Sequence, residues 1–327
     1  MSKNLWPAVA LALLLAFNAL FTPHFIDLEI KDGRLFGALI DILHRGSRVM
    51  LLATGMTLVI ATAGIDLSVG AVMAIAGAVS ALLIKRTALA VPEVVAIALA
   101  VALVAGLWNG ALVGFLKLQP IVATLILLVA GRGIAQLLTD GQIITFERPA
   151  FEFIGTGSLL GLPVTVFIVA FVVAVTLLVT RTTVAGLYVE AVGNNETASR
   201  LSGLRPGLVK LLVYAFSGLC AGVAGLIETA DIKAADINNA GLYLELDAIL
   251  AVVIGGTPFS GGRANILGSI IGALIMQTLT TTILMRGVGV EYTLVVKAVA
   301  VVVVCLLQSA QFRAIFFRRA PRHEASP

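Results

Sequence analysis

The chain has 327 residues, of which 59% are hydrophobic and 12% are charged, and its formal net charge is +4. With a mean hydropathy of +1.06, this composition excludes an ordinary soluble globular protein and predicts an all-α polytopic membrane protein. The basic residues are scattered through loops and form no basic helical face interleaved with aromatic residues, so the sequence gives no indication of nucleic-acid binding.

Apolar segments predict about ten transmembrane helices, because a helix needs about 20 apolar residues to cross the hydrocarbon core. In chain order the predicted spans are 5–21, 48–64, 67–84, 92–117, 120–138, 163–180, 207–229, 245–256, 265–285 and 292–311. No good cleavage site follows the first segment, which is therefore expected to be a retained span. The eighth covers only about 12 residues, which predicts a short or broken helix inside the membrane.

We expect the whole chain, 1–327, to form a single transmembrane domain. Placing both termini in the cytoplasm puts two basic segments on that side, the loop at 181–210 and the tail at 312–327. This orientation agrees with the positive-inside rule.

Glycines recur at a four-residue spacing, which is typical of close helix packing in membranes. The repeated positions are Gly106, Gly110 and Gly114, then Gly218 with Gly222, and Gly268 with Gly272. The segments Gly64–Gly70 and Gly256–Gly262 share a GxxxSxG spacing, each between two apolar runs, which suggests an internal repeat. A chance likeness of two glycine-rich turns is the alternative.

The inventory of reactive side chains predicts no enzyme. The three histidines, His24, His44 and His323, are all expected in loops, and no HExxH motif or His/Cys cluster suggests a metal site. The segment 256–263 is the nearest match to a phosphate-binding loop, but it lacks the lysine that such a loop needs. We therefore predict no catalytic residues and no cofactor in this chain.

The loop 186–203 predicts a short helix over 194–203. Asn194 or Asn195 is suited to cap its start, Glu196 to its first turn, Arg200 to its last turn, and Gly203 to a left-handed end. The segment 186–206 is thus predicted to carry a short cytoplasmic helix.

One face of this short helix would present Ala198 and Leu201, which could dock into a groove of a partner protein. An interfacial helix lying on lipid headgroups is the alternative.

Polar residues in or beside the predicted spans are candidates for a translocation path, because such residues must find hydrogen-bond partners and are often functional. The candidates are Asp66, Ser68, Asn109, Thr124 and Ser260. For each, hydrogen bonding between helices is the structural alternative, and Asp66 is also placed to cap the helix that follows.

Four motifs, at 55–79, 107–125, 190–203 and 244–262, resemble the permease subunits of ATP-binding cassette (ABC) sugar importers of the ribose/xylose type. The resemblance runs over nearly the whole chain. The segments 32–36, 130–143 and 230–250 are more similar to the galactofuranose-importing subgroup than to the ribose permeases. Pro258 and Arg263 depart from the family's usual GGTSLxGGxG pattern, which affects the details of that turn.

The resemblance implies that the loop is the coupling segment on which the ATPase subunit sits. Its matching or neighbouring positions are Glu190, Gly193, Asn194, Asn195, Ala198, Leu201, Ser202 and Gly203.

By the same resemblance, the chain would be a multi-pass bacterial inner-membrane subunit that translocates a monosaccharide, galactofuranose or a related furanose, by alternating access. The implied partners are an ATPase subunit that holds ATP and magnesium, a second homologous permease in a heterodimer, a periplasmic sugar-binding protein and the lipid bilayer. Two alternatives from other classes are an ion-coupled secondary transporter of a small polar solute and a non-transporting scaffold or receptor.

Overall fold

The computed structural model describes residues 4–31, 33–287, 292, 294–299 and 302. Contacts divide the chain into a large compact unit, 1–278, and a second unit from residue 279 onward. The predicted basic tail 312–327, His323 and most of the predicted last span lie outside the described residues.

The described residues are mostly helical. Their helices are α1 (Leu5–Phe21), α2 (Ala38–Ala61), α3 (Val69–Arg86), α4 (Val91–Gly114), α5 (Pro120–Leu138), α6 (Pro149–Thr156), α7 (Val164–Thr182), α8 (Val184–Asn194), α9 (Glu196–Leu201), α10 (Pro206–Ile232), α11 (Leu244–Ile254) and α12 (Ile266–Met285). Six of these helices, α3, α4, α5, α7, α10 and α12, are long and apolar enough to cross a membrane, and α1 is a shorter apolar helix. The polytopic membrane class is supported, whereas the count of ten spans stays a prediction.

Three short antiparallel strand pairs, which the all-α prediction lacked, tie loops together. The strands are β1 (Glu29–Lys31), β2 (Arg34–Phe36), β3 (Ile144–Thr145), β4 (Ser158–Leu159), β5 (Leu162–Pro163) and β6 (Ala234–Ala235). β1 pairs with β2, β4 with β5, and β3 with the distant β6, in registers that place Ile30 opposite Leu35, Ser158 opposite Pro163, and Ile144 opposite Ala235.

The second predicted span differs most from the observed helix. α2 begins at Ala38 rather than at residue 48, so the prediction that His44 lies in a loop is wrong. Part of the charge in its first half is paired within the protein, since Arg48 Nη1 lies 3.9 Å from Glu228 Oε1, whereas Asp41 and Arg45 are exposed. From Val49 to Ala61 every residue of α2 is buried.

α10 is the central helix of the large unit and packs against α2, α3, α4 and α6. The α4–α10 contact needs glycine. A Cβ on Gly106 would lie 2.4 Å from the backbone oxygen of Tyr214, and one on Gly114 would lie 2.5 Å from that of Gly207. On α10, a Cβ on Gly218 would lie 2.5 Å from the oxygen of Ala102. The predicted packing role of these glycines is confirmed, since helix backbones approach closely only where side chains are small.

The segment predicted as a short eighth span forms the helix α11, which has 11 residues, so the predicted shortness is confirmed. Gly268 and Gly272 allow α12 to pack on it, since added Cβ atoms would lie 2.1 Å from the oxygen of Gly255 and 2.0 Å from that of Ala251. The two GxxxSxG segments follow α2 and α11, and Gly262 N of the second segment donates a hydrogen bond to Ala61 O at the end of α2, at 2.9 Å.

The turns of the large unit gather at two ends. We call one the coupling end; it comprises Asn4 and the segments 62–68, 115–119, 183–205 and 255–265. The Asn265 side chain reaches Asn4 there at 2.8 Å. The opposite end holds the β1–β2 hairpin, α6 and the segment 233–243, where Lys233 pairs with Glu152 at 2.7 Å.

Candidate functional site: coupling segment and buried polar cluster

The predicted short helix is confirmed as α9, Glu196–Leu201, within the predicted range 194–203. Asn195 rather than Asn194 caps it, since Asn195 Oδ1 accepts a hydrogen bond from Ala198 N at 2.9 Å. Gly203 ends it with φ +86°, a left-handed conformation that glycine adopts without strain. The local sequence signals therefore suffice to define this helix.

Two of the predicted coupling residues hold the segment against the rest of the protein. Gly193, in α8, is buried, and an added Cβ would lie 1.7 Å from Ala61 O at the end of α2. Glu190 Oε1 accepts a hydrogen bond from Ala264 N at 3.0 Å, just before α12. Movement of α8 is therefore tied to α2 and to the start of α12.

The other predicted coupling residues are exposed. They are Asn194, Asn195, Ala198, Leu201, Ser202 and Gly203. Leu201, the last residue of α9, is 85% exposed. α9 thus presents a small accessible face with an apolar side chain at its end, which is suited to a groove in a partner.

Glu196 fixes α9 to two other elements through ion pairs. Its carboxylate pairs with Lys117 in the α4–α5 turn, with Lys210 Nζ of α10 at 2.6 Å, and with Arg200 Nη2 at 3.4 Å. Partial burial alone would raise the pKa of Glu196, but hydrogen bonds and positive charge from Lys117 and Lys210 outweigh it and lower that pKa to about 2. From the sequence, Glu196 is expected only in a first helical turn, because its two lysine partners lie far apart along the chain and leave no local signal.

Four of the five predicted path residues meet in one buried polar cluster. Asp66 Oδ1 accepts hydrogen bonds from Ser68 N at 3.0 Å and Ser68 Oγ at 2.6 Å, and its Oδ2 accepts one from Ser217 Oγ at 2.9 Å. Asn109 Nδ2 donates to Ser68 Oγ at 2.8 Å, and Thr124 Oγ1 accepts from the backbone N–H of residue 67 at 3.1 Å. All these polar side chains are buried.

The cluster joins the α2–α3 turn to α4, α5 and α10. Tyr214 extends it on the α10 side, since its hydroxyl donates to Ile65 O at 3.2 Å. Asn109 Oδ1 is buried and, among the residues that the structure describes, has no hydrogen-bond partner. Burial favours the structural interpretation of Asp66 and Ser68 in this conformation. Ser68 is the N-cap residue of α3, whose start has no side-chain cap hydrogen bond, so Asp66 closes the preceding turn through Ser68 N and does not cap the helix as predicted.

Ser260 does not join the cluster. It lies exposed in the turn 255–265 at the coupling end. Ser217 and Tyr214 are not expected at this site from the sequence, because no local pattern links them to Asp66. Ser217 follows Asp66 by 151 positions.

Residues 38–305 match the sequence model of the family described as branched-chain amino acid transport system / permease component. The chain belongs to this permease family. It is therefore a non-catalytic, multi-pass subunit of the inner membrane, which confirms the family resemblance and the prediction that the chain is not an enzyme.

Curated relatives cover almost the whole chain. It is 54% identical over 312 residues to the galactofuranose transporter permease protein YtfT of Escherichia coli K12, which is 94% of this chain and 91% of that protein. It is 43% identical to the fructose import permease protein FruF of Bifidobacterium longum, over 94% and 88% of the two chains. It is 37% identical to the ribose import permease protein RbsC of Escherichia coli K12, over 92% of each. No solved structure matches the chain significantly.

Proposed function

We propose that this chain is the transmembrane permease subunit of an ABC importer for a monosaccharide, galactofuranose or a related furanose. The observation that carries the proposal is the 54% identity over 94% of the chain to a galactofuranose transporter permease. The family description names branched-chain amino acids, but the relatives compared here are named for galactofuranose, fructose and ribose. This agreement among relatives favours a sugar.

A permease of this class works with an ATPase and a substrate-binding partner. We propose that ATP and magnesium are bound by the ATPase, that the sugar arrives from a periplasmic binding protein, and that a second homologous permease completes a heterodimer. The exposed face of α9 supports an ATPase contact. An ATPase contact there requires this end to face the cytoplasm, and the N-terminal segment, which reaches the same end through Asn4, would then be cytoplasmic as well.

Coupling would proceed from α9 into the helix bundle by rigid-body motion. An ATPase that moves α9 also moves α10 and the α4–α5 turn, because Glu196 is paired with Lys210 and Lys117. Gly193 passes the same movement to the end of α2 through its close backbone contact. The sugar path would run past Asp66 and Ser68. This path would open when α2, α10 and the α4–α5 turn separate.

Ala198→Glu tests the docking face. Ala198 is exposed, so the substitution is expected to leave insertion and folding intact while uptake is lost through charge and bulk at the ATPase contact. The matched control is Ala88→Glu, an exposed alanine at the opposite end. Gly193 is a poorer test, since any side chain there meets the Ala61 carbonyl. Normal ATP-dependent uptake by the Ala198→Glu protein would contradict the coupling role.

Composition of the native complex tests the assembly. The chain would be tagged, purified gently from its native membranes, and its co-purifying subunits identified by mass spectrometry. The proposal predicts an ATPase subunit together with a second, related permease. Purification of a solitary chain or a homodimer would instead favour the ion-coupled alternative. That alternative also predicts uptake that survives ATP depletion and is lost when the proton gradient is removed.

A further inference from the structure

A cavity of about 460 Å³ opens at the coupling end between the α4–α5 turn and the start of α10. Its lining includes Phe115, Lys117, Arg200, Arg205 and Leu208. Ala198 and Leu201, the proposed docking residues, do not line it. The cavity is therefore a separate feature from the exposed face of α9.

Positive charge is in excess around this cavity. Lys117, Arg200 and Lys210 all pair with the one carboxylate of Glu196. The Arg205 side chain is exposed, and no ion pair involves it among the described residues. Of the three cations that line the cavity, Lys117 and Arg200 share one carboxylate and Arg205 has none in the described part of the chain, so positive charge is in excess. The N-terminus of α10, which carries partial positive charge, opens onto the same space.

An exposed apolar strip leads away from the cavity along α10. Phe115, the residue that ends α4, lines the cavity and is 58% exposed. On α10, Leu208 also lines the cavity, and Leu212 lies one turn further on the same face; they are 43% and 59% exposed. A basic pocket beside exposed apolar and aromatic side chains is what a protein presents at the boundary between headgroups and acyl chains.

We propose that this cavity binds the phosphate headgroup of an anionic phospholipid, with the acyl chains lying along the strip of Phe115, Leu208 and Leu212. The excess positive charge favours an anion such as a phosphodiester, which carries one negative charge, and the planar guanidinium of Arg205 can form two parallel hydrogen bonds to its oxygens. The apolar strip distinguishes a lipid from free phosphate, which would gain nothing from it. An acidic patch on the ATPase would likewise leave the strip unused.

The test uses the full-length chain in detergent, with phosphatidylglycerol or phosphatidylcholine added and bound lipid counted by native mass spectrometry. Arg205→Gln removes one charge near the surface and is expected to weaken phosphatidylglycerol binding about fivefold. Arg263→Gln is the matched control, because Arg263 is exposed at the same end but outside the cavity. Arg205→Lys keeps the charge and is expected to restore most of the binding.

Preferential binding of phosphatidylglycerol that falls in Arg205→Gln and not in Arg263→Gln supports the site. Equal losses in the two variants, or no preference over phosphatidylcholine, overturn it. Displacement of the lipid by millimolar inorganic phosphate with no dependence on acyl chains overturns the lipid assignment. The lipid assignment is also overturned if Arg205→Gln binds lipid normally but no longer retains the ATPase when the complex is purified. That result would assign these cations to the contact with the ATPase.

Discussion

Glu196→Gln should loosen α9 by a measurable amount. The substitution keeps the size of the side chain but removes the charge that holds Lys117, Lys210 and Arg200. If the full lowering of the Glu196 pKa from 4.5 to about 2 stabilised the folded state, it would contribute about 3 kcal/mol. Lys117 and Arg200 are 46% and 61% exposed, so solvent screens their share and a loss of about 1–2 kcal/mol is expected.

Hydrogen exchange of the segment 196–204 measures this loss locally. At pH 7 the variant should exchange about 5–30 times faster there than the unsubstituted chain, as 1–2 kcal/mol implies. Glu147→Gln, an exposed glutamate at the opposite end, is the control and should leave this segment unchanged. Equal protection of 196–204 in both proteins would refute the account of how α9 is held.

The pH dependence gives a second check on the same residue. Because folding lowers the pKa of Glu196, its stabilising contribution is fully present above about pH 4.5 and is lost as pH falls toward about 2. The difference between the unsubstituted chain and Glu196→Gln should therefore hold from pH 7 to about 5 and shrink below 4.5. A difference that grows as the pH falls would contradict this assignment.

Three further predictions concern packing and the buried cluster. Gly106→Leu should lower thermal stability by at least about 1–3 kcal/mol, since its side chain meets the α10 backbone, whereas Gly133→Leu in α5, where nothing lies within 4 Å of an added Cβ, should change it little. Ser217→Ala should cost about 1–3 kcal/mol in thermal unfolding, because it removes a hydrogen bond from a buried carboxylate. Ser68→Cys should resist a water-soluble thiol reagent at rest and react only during turnover, whereas Ser260→Cys should react in all states.

Each of these three outcomes can contradict the account. Equal stabilities for the two glycine variants would mean that α4 and α10 do not pack closely. An unchanged melting temperature for Ser217→Ala would remove Ser217 from the cluster. Protection of Ser68→Cys in every state, with uptake retained, would reduce the cluster to a structural role.

Structural features that depend on residues close together in the sequence could be predicted, and α9 is an example. Asn195, Glu196 and Gly203 act within one or two helical turns, so cap, first turn and end are all local signals. The glycine spacing likewise predicted where α4 and α10 approach, because it marks one face of each helix.

Other features depend on distant partners. The predicted start of the second span, residue 48, lies after the true start of α2 at Ala38. A charged residue such as Arg48 indicates a loop when its partner Glu228 cannot be recognised from the sequence. The partners of Asp66 on α10 and the lysines around Glu196 come from elements far along the chain. Strands of two or three residues, such as β3 and β6, are too short to show an alternating pattern.

Uptake by the reconstituted importer tests the central claim most directly. The chain, its ATPase and its second permease would be placed in proteoliposomes, and entry of labelled galactofuranose delivered by the binding protein would be measured. The account predicts uptake that requires ATP hydrolysis, is not competed by leucine, and is abolished by Ala198→Glu. Uptake driven by a proton gradient without ATP, or uptake of leucine in place of the sugar, would contradict it.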